Sequence, residues 1–266
     1  MKVGFLITAR LKSTRLPLKI LKDLNGKTVI GRIIDRAKEI KGISNIVICT
    51  SYNSQDSQLL DIAKNNDIYY FTGHEDDVLN RLFNAAKLFD LDYFLGITAD
   101  NPLFTIDHSN QIVNECKKNI YDYIKLESLP LGAATYGMKV KALETVCSIK
   151  TLVDTEIWGP LINQDSIFNI KTVKIIDKLS RPELRFTLDY QEDYDFINNI
   201  YSNVPFNKVI NLYNVIDYLD KNPKLLEINK ECKQLELDKN IVDKINNYYK
   251  ENYKEILKIK EEIYHR

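Results

Sequence analysis

The feature that most constrains the fold is the alternation of short apolar runs with longer amphipathic stretches in the first half of the chain. Residues 3–9, 45–51, 68–71 and 93–97 are short, rich in β-branched or aromatic side chains and bounded by polar turns, which is typical of strands. The stretches 29–40, 54–65 and 75–89 carry apolar residues at helical spacing. This alternation predicts an α/β fold with a mainly parallel sheet and helices on both faces.

The rest of the chain is less regular. The pattern predicts a helix over 107–118, strands over 121–126, 168–175 and 185–188, a glycine-containing stretch over 132–137, and a helix over 191–201 with an acidic first turn. Residues 208–266 are predicted to be helical throughout. We therefore predict an α/β domain over residues 1–205 and a helical C-terminal extension over 206–266. The apolar stripe of this extension either packs on the domain or forms a homodimer contact.

Charge and cysteine content exclude several classes of protein. Lysine plus arginine and aspartate plus glutamate number 37 each, so the chain lacks the broad basic field with which nucleic-acid-binding proteins attract phosphates. No apolar run approaches the roughly 20 residues that span a bilayer, and the apolar start is too short for a signal peptide. The four cysteines are far apart and form no zinc motif. We expect a cytoplasmic protein without nucleic-acid or membrane partners.

The connection after the first predicted strand concentrates positive charge. Residues 8–19 contain four cations and also Ser13 and Thr14. Ligands of open α/β sheets bind outside the carboxyl ends of strands, so this loop is placed to receive an anion, although a solvated basic turn is the simpler alternative. Arg10 and Arg15 offer forked donors for phosphate oxygens, and Lys19 supplies a compact charge. The glycines of a Walker A loop or a GxGxxG fingerprint are absent, which disfavours P-loop and dehydrogenase folds.

Two aspartates follow predicted strands. Asp100 precedes Asn101 and Pro102, where the proline interrupts regular structure. A carboxylate at the carboxyl end of a strand is a hard oxygen ligand that suits Mg²⁺, which takes one or two carboxylates and completes its shell with phosphate and water. Asp189 follows the predicted strand over 185–188 and either completes this site or caps the next helix. The sequence predicts a magnesium site at Asp100, with Asp189 as second ligand or cap.

Five segments, in order, are similar to motifs of one enzyme family. Residues 9–19 read AR-x-x-STRLP-x-K, and residues 73–81 are similar to G-x-E-D-D-V-L-x-R. Residues 98–103 are similar to T-x-D-x-P-L, residues 185–189 to R-L-T-V-D, and residues 223–229 to P-x-L-x-x-I-N. The chain thus resembles the cytidylyltransferases of the acylneuraminate and Kdo type, and most closely their spore-coat polysaccharide branch. Leu18 stands where the family usually has glycine, and the usual middle-region histidine is absent near residues 155–158.

The resemblance implies a Rossmann-like fold of the nucleotide-diphospho-sugar transferase type. It also implies transfer of CMP from CTP to a small acidic acceptor, with Mg²⁺ as cofactor and pyrophosphate as product, for surface polysaccharide or glycoconjugate synthesis. The acceptor would be an acidic sugar, a phosphorylated compound or a phosphonate.

Roles follow residue by residue from the matched motifs. The catalytic residues are expected to be Arg10, Lys19 and Asp100, and the metal ligands Asp100 and Asp189. The expected nucleotide-binding residues are Ala9, Arg10, Ser13, Arg15, Lys19, Gly73, Asp77 and Arg81. Residues 129–158, with Tyr136, and Arg185 lie outside the nucleotide motifs and are expected to bind the acceptor.

Two other functions remain open from the sequence. The first is a nucleotidyltransferase that uses another nucleoside triphosphate and a sugar phosphate, although such enzymes typically begin with a glycine-rich loop. The second is a non-catalytic nucleotide-binding subunit, against which the intact Arg10, Lys19 and Asp100 argue. A glycosyltransferase would show an Asp-x-Asp motif where this chain has Asp100, Asn101 and Pro102.

Overall fold

The computed structural model describes residues 1–266 and contains one seven-stranded sheet. The strands are β1 (Val3–Thr8), β2 (Ile46–Ser51), β3 (Tyr69–Gly73), β4 (Tyr93–Thr98), β5 (Tyr123–Glu127), β6 (Tyr136–Lys139) and β7 (Ile170–Lys174). Their order is β3-β2-β1-β4-β6-β5-β7, and all pairs are parallel except those of β6, which is antiparallel to β4 and β5. The predicted α/β class with a mainly parallel sheet is confirmed.

Helices cover both faces of the sheet. They are α1 (Val29–Lys38), α2 (Gln58–Asn65), α3 (Val78–Leu88), α4 (Ile106–Lys117), α5 (Val140–Ile149), α6 (Gly159–Ile162), α7 (Gln191–Asn203), α8 (Leu212–Lys221), α9 (Lys239–Glu251) and α10 (Tyr253–His265). Successive side chains of a strand point to opposite faces. Accordingly, Phe5 and Ile7 of β1 belong to a first core layer that contains residues of α1, α2, α4, α7 and α8. Leu6 belongs to a second core layer that contains residues of α3, α5, α6, α9 and α10.

The strand order reverses between β1 and β4. The chain leaves β1 to form β2 and β3 on one side, then returns to place β4 on the other side of β1. The backbone N–H of Ala9 donates to Cys49 O at 3.1 Å, and that of Ala99 donates to Thr8 O at 2.9 Å, so the ladder continues into both loops. Such a reversal opens a crevice at the carboxyl ends of the strands. It brings the basic loop of residues 8–19 beside Asp100.

The strand predicted over residues 185–188 is wrong. This segment forms only an isolated bridge between Leu131 and Arg185. Phe186 N donates to Leu131 O at 2.7 Å, but Leu188 N donates to Asp100 O at 2.9 Å. Because the segment pairs with two different loops, no continuous ladder forms, and its extended backbone instead carries residue 189 to the crevice.

The helix predicted from residue 75 begins three residues later, at Val78. The Asp77 carboxylate accepts the N–H of Asn80 at 3.0 Å and is the N-cap, so Glu75 and Asp76 precede the helix. Residues 54–57 likewise form a 3₁₀ turn rather than the start of α2.

The prediction of helix throughout residues 208–266 is wrong for residues 208–211, which precede α8, and for residues 228–238, which contain no helix; Pro223–Glu227 form a 3₁₀ helix. Before this segment, α8 packs in the first core layer through Val215 and Ile216, and after it α9 packs in the second layer through Ile245 and Tyr249. The segment 228–238 therefore crosses from one face of the sheet to the other, and we call it the crossover segment. The domain boundary between residues 205 and 206 stays a prediction.

Candidate active site

The loop after β1 is fixed by its apolar residues, which leaves its charged residues free to face the crevice. Leu11 and Leu16 are buried, and Leu11 N donates to the buried carboxylate of Asp56 at 2.7 Å. A 3₁₀ turn over Lys19–Leu21 ends the loop. Nothing in the sequence pattern marked Asp56, because its role depends on a contact 45 residues away.

Leu18 has the left-handed backbone conformation that favours glycine. Its φ is 53° and its ψ is 26°, and its side chain is 52% exposed. For a residue with a β-carbon this conformation costs roughly 1–2 kcal/mol. A glycine would adopt this conformation without that cost, so Leu18 carries backbone strain that a glycine at this position would avoid.

A largely buried ammonium group lies between two carboxylates at the centre of the crevice. Lys19 Nζ donates to Asp100 Oδ2 at 2.6 Å and to Asp189 Oδ1 at 2.8 Å. Arg15 also donates to Asp189 Oδ1, at 2.8 Å. The Thr98 hydroxyl donates to Asp100 Oδ1 at 2.6 Å and fixes the orientation of that carboxylate.

Each charged group in this cluster stabilises the charged form of its neighbours. Burial by itself would lower the pKa of Lys19, but Asp100 and Asp189 outweigh it and raise that pKa above its usual value. Burial would raise the pKa of Asp189, yet Lys19, Arg15 and Arg185 lower it. Both groups are therefore charged at neutral pH.

The other cations of the loop are also paired with acidic residues. Arg10 donates to Glu156 Oε2 at 3.0 Å and to the Glu75 carbonyl at 3.1 Å, and Lys12 donates to Glu75 Oε1 at 3.0 Å. Hydrogen bonds from Asn53 and Lys12 lower the pKa of the partly exposed Glu75 carboxyl. A polyphosphate carries enough negative charge to compete with these carboxylates for the cations.

Two adjoining cavities open along the crevice. The first has a volume of about 350 Å³ and is lined by the loop after β1, including Arg10, Ser13, Arg15 and Lys19. The second has a volume of about 590 Å³ and is lined by Asp189 and by residues of the crossover segment, among others. Both are lined by Arg15, Thr98, Asp100, Tyr136, Glu156 and Leu235. Volumes of this size suit small-molecule ligands.

The structure brings together most of the residues predicted from the first loop and the strand ends. Arg10, Ser13, Arg15 and Lys19 line the first cavity together with Asp100. Ala9 is buried and does not line either cavity; it contributes its backbone to the sheet ladder. Asp189 lines the second cavity and does not accept an N–H at the start of α7, so the helix-cap alternative for Asp189 is not what the structure contains.

Gly73, Asp77 and Arg81 lie outside both cavities. Asp77 caps α3 and accepts from Lys150 Nζ at 2.6 Å, so both of its carboxylate oxygens are engaged. Arg81 is buried and donates to the carbonyl of Glu75 at 3.0 Å, the same carbonyl that Arg10 contacts. The three residues shape the turn that holds Arg10, and their predicted contact with the nucleotide receives no support from their positions.

The two residues predicted for the acceptor have different surroundings. Tyr136 lines both cavities, and its ring packs edge-on against Trp158 with a centroid distance of 4.8 Å. Arg185 lines neither central cavity, because it lies behind Asp189 and donates to Asp189 Oδ2 at 2.9 Å. A direct acceptor contact of Arg185 is therefore not supported.

Two groups of lining residues were not singled out from the sequence. Glu156 and Trp158 lie within the region expected to bind the acceptor, but nothing marked them individually. Gln234, Leu235 and Leu237 belong to the crossover segment, which had been predicted to be helical. The run of residues 233–238 without helical periodicity was the one available signal.

The donor set fits a magnesium ion that shares its coordination with a phosphate ligand. Asp100 and Asp189 each place an oxygen within 2.8 Å of one cationic nitrogen, so both carboxylates face a single positive charge. No group of three or more aspartate, glutamate, histidine or cysteine side chains could hold a metal ion. Asp100 and Asp189 would hold Mg²⁺ together with phosphate and water ligands, because Mg²⁺ usually takes only one or two carboxylates from the protein.

None of the helices combines the length and the apolar character needed to pass through a lipid bilayer.

Several known proteins are similar to this chain over most of its length. The chain is 28% identical over 236 residues to an uncharacterised protein of Methanocaldococcus jannaschii, with 88% of this chain and 97% of that protein covered. It is 24% identical over 226 residues to the spore coat polysaccharide biosynthesis protein SpsF of Bacillus subtilis, with 82% and 94% covered. The solved structure of a cytidylyltransferase from Leptospira borgpetersenii superposes with a TM-score of 0.79 at 25% identity, covering 89% of this chain and all of that one.

The sequence profile described as "Cytidylyltransferase" matches residues 5–261, which is nearly the whole chain. The match includes the loop after β1, both aspartates and the crossover segment. The family resemblance predicted from the five motifs is confirmed, and this chain belongs to the cytidylyltransferase family.

Proposed function

We propose that this nucleotidyltransferase joins the CMP part of CTP to a small acidic acceptor, with Mg²⁺ and with release of pyrophosphate. The observation that carries the proposal is the Lys19 ammonium group held between Asp100 and Asp189 at the strand-order reversal, beside the arginines of the first loop. Asp100 and Asp189 would hold the metal ion, which when bound supplies positive charge against the phosphate oxygens.

The chain's own cations have a clear task in this reaction. The acceptor oxygen attacks the α-phosphorus in line with the bond to the leaving pyrophosphate, and negative charge spreads over the phosphate oxygens. Arg10, Arg15 and Lys19 line the cavity that would receive the triphosphate and neutralise that charge. In exchange for the phosphates, these cations leave the carboxylates with which they pair here. Positioning and charge neutralisation then provide most of the rate enhancement.

The second cavity is the proposed acceptor site. It adjoins the first at Asp100 and Tyr136, so an acceptor bound there meets the triphosphate beside the proposed metal ligands. Arg15 lines both cavities, so its forked guanidinium would contact the triphosphate and an acidic group of the acceptor at the same time. Because SpsF is a spore coat polysaccharide biosynthesis protein by its name, we propose that the product serves surface polysaccharide or glycoconjugate synthesis in the cytoplasm.

The test is pyrophosphate release from each of the four nucleoside triphosphates with Mg²⁺, against a panel of acidic sugars, sugar phosphates and phosphonates. We expect release with CTP and one acceptor class. Release with another triphosphate and a sugar phosphate would contradict the choice of CTP. Tight binding of CTP without release for any acceptor would favour a non-catalytic nucleotide-binding subunit.

A further inference from the structure

Arg185 holds Asp189 from the side that faces away from the cavities. The arginine side chain is 9% exposed, and NH2 donates to Asp189 Oδ2 at 2.9 Å. The opposite oxygen of the same carboxylate, Oδ1, accepts from Lys19 and Arg15. One oxygen of Asp189 thus faces the crevice, and the other is tied to a residue that lines neither central cavity.

A bound triphosphate would contact two of the three cations around Asp189 but not the third. Lys19 and Arg15 line the first cavity, so phosphate oxygens can draw them away from the carboxylate. Arg185 does not line that cavity, so its bond to Oδ2 would remain. When the two loop cations move, Arg185 is the group that still fixes the direction of the carboxylate.

A buried network in turn fixes Arg185. Its Nε donates to Asp193 Oδ1 at 2.9 Å and its NH2 to Asp193 Oδ2 at 3.1 Å, and Asp193 is fully buried. Asn229 Nδ2 donates to Asp193 Oδ1 at 3.0 Å and to the Arg185 carbonyl at 3.1 Å. Burial would lower the pKa of Arg185, but Asp193 and Asp189 raise it, so the guanidinium stays charged between two carboxylates.

The same guanidinium reaches the wall of the second cavity. NH1 donates to Gln234 Oε1 at 3.1 Å, and Gln234 and its neighbour Leu235 line that cavity. Arg185 therefore links a carboxylate at the cavity wall with the crossover segment. A lysine could retain the charge but could not make the forked contact with Asp193 while also reaching Asp189 and Gln234.

We infer that Arg185 is a positioning residue that keeps Asp189 oriented for Mg²⁺ after Lys19 and Arg15 have turned to the phosphates. The inference rests on the proposed function, because it takes Asp189 as a ligand of the metal ion. Charge alone argues for the opposite effect: removing a nearby cation would strengthen binding of Mg²⁺ to the carboxylate. A weakened metal effect in an Arg185 variant is therefore a signature of orientation.

The experiment is calorimetric titration of the full chain with CTP, once with Mg²⁺ and once with EDTA. The quantity compared is the metal gain, the factor by which Mg²⁺ tightens CTP binding. In Arg185→Gln we expect the metal gain to fall by about 10–100-fold, as for other partners of metal ligands, while CTP binding in EDTA stays close to wild type. Arg185→Lys should recover part of the gain, because an ammonium group can still donate a hydrogen bond to Asp189 Oδ2 although it lacks the fork.

Arg181→Gln is the matched control. Arg181 lies four residues earlier and pairs with Glu183 and Asp220 at the surface, so its removal should leave the metal gain unchanged. A folded Arg185→Gln or Arg185→Lys protein with a wild-type or larger metal gain overturns the inference. If circular dichroism shows that both Arg185 variants are unfolded, Arg185 is a residue of the fold, and the inference is likewise overturned. If Mg²⁺ does not tighten CTP binding to the wild type, the result contradicts the proposed function, in which Mg²⁺ is the cofactor.

Discussion

Replacing Lys19 with methionine should lower both the stability and the catalytic rate of the protein. Mg²⁺ should restore part of the lost stability. The ammonium group makes two charge-assisted hydrogen bonds, and its side chain is only 13% exposed. Asp189 would keep Arg15 and Arg185, so the loss falls mainly on Asp100, which would keep only the Thr98 hydroxyl. A hydrogen bond to a charged group contributes about 1.5–3 kcal/mol, and we expect the free energy of unfolding to fall by that amount.

For catalysis, the loss of one preorganised charge contact with the transition state corresponds to about a 100–1,000-fold decrease in kcat. Pyrophosphate release measures this decrease, and thermal unfolding with and without Mg²⁺ measures stability. Because a metal ion between Asp100 and Asp189 would replace the missing positive charge, Mg²⁺ should raise the Tm of Lys19→Met more than that of the wild type.

Lys22→Met is the control, since the Lys22 ammonium group donates to Gln191 at 3.5 Å and lies over the ring of Tyr194, away from both aspartates. It should leave kcat and the response of Tm to Mg²⁺ near wild type. A Lys19→Met protein that retains wild-type turnover would refute the assignment of Lys19 to the reaction. Equal effects of Mg²⁺ on the Tm of variant and wild type would refute the shared cation site.

Three further outcomes follow from other contacts. Asp122→Ala removes the buried carboxylate that accepts from Lys260 Nζ and Tyr264 Oη of α10, both at 2.6 Å, and should lower the free energy of urea unfolding by about 3 kcal/mol. Gly132→Ala should cost about 1–3 kcal/mol in the same assay, because φ is +89° there and a β-carbon would meet a backbone nitrogen at 2.6 Å. The lowered pKa of Asp189 stabilises the fold above about pH 4, and this contribution is lost as pH falls through the folded-state pKa. Asp189→Asn should therefore have a lower free energy of unfolding than wild type at neutral pH, and the two free energies should converge at acidic pH. Urea unfolding over a pH series measures both.

The sequence was most informative where its signal is local. Strands β1 to β4 and the helices between them follow from hydrophobic periodicity, which depends only on neighbouring residues. The first loop was recognisable as an anion site because four cations follow a strand. Asp100 was recognisable as a metal-ligand candidate because it follows the carboxyl end of another strand. The order of the strands places these two loops side by side, and their proximity was predictable from the carboxyl ends of parallel strands alone.

Where a residue's role depends on distant partners, the sequence was misleading. Arg185 was assigned to the acceptor because it lies outside the nucleotide motifs, yet its partners are Asp189, Asp193 and Gln234, the last 49 residues away. Asp77 belongs to a matched motif, but its oxygens are used by α3 and by Lys150, 73 residues later. No periodicity records contacts of this kind, because they arise only when separate segments pack.

The sequence by itself thus determined the α/β class, the family and the side chains available for chemistry, because propensity, periodicity and ordered motifs are properties of the chain. Only the tertiary structure decided which of those side chains meet. It placed Lys19 between two aspartates from different loops. It also placed part of the crossover segment, residues 228–238, in the lining of the second cavity. The physical reason is that packing of both faces of the sheet fixes where irregular segments run, and those segments carry no repeating pattern of their own.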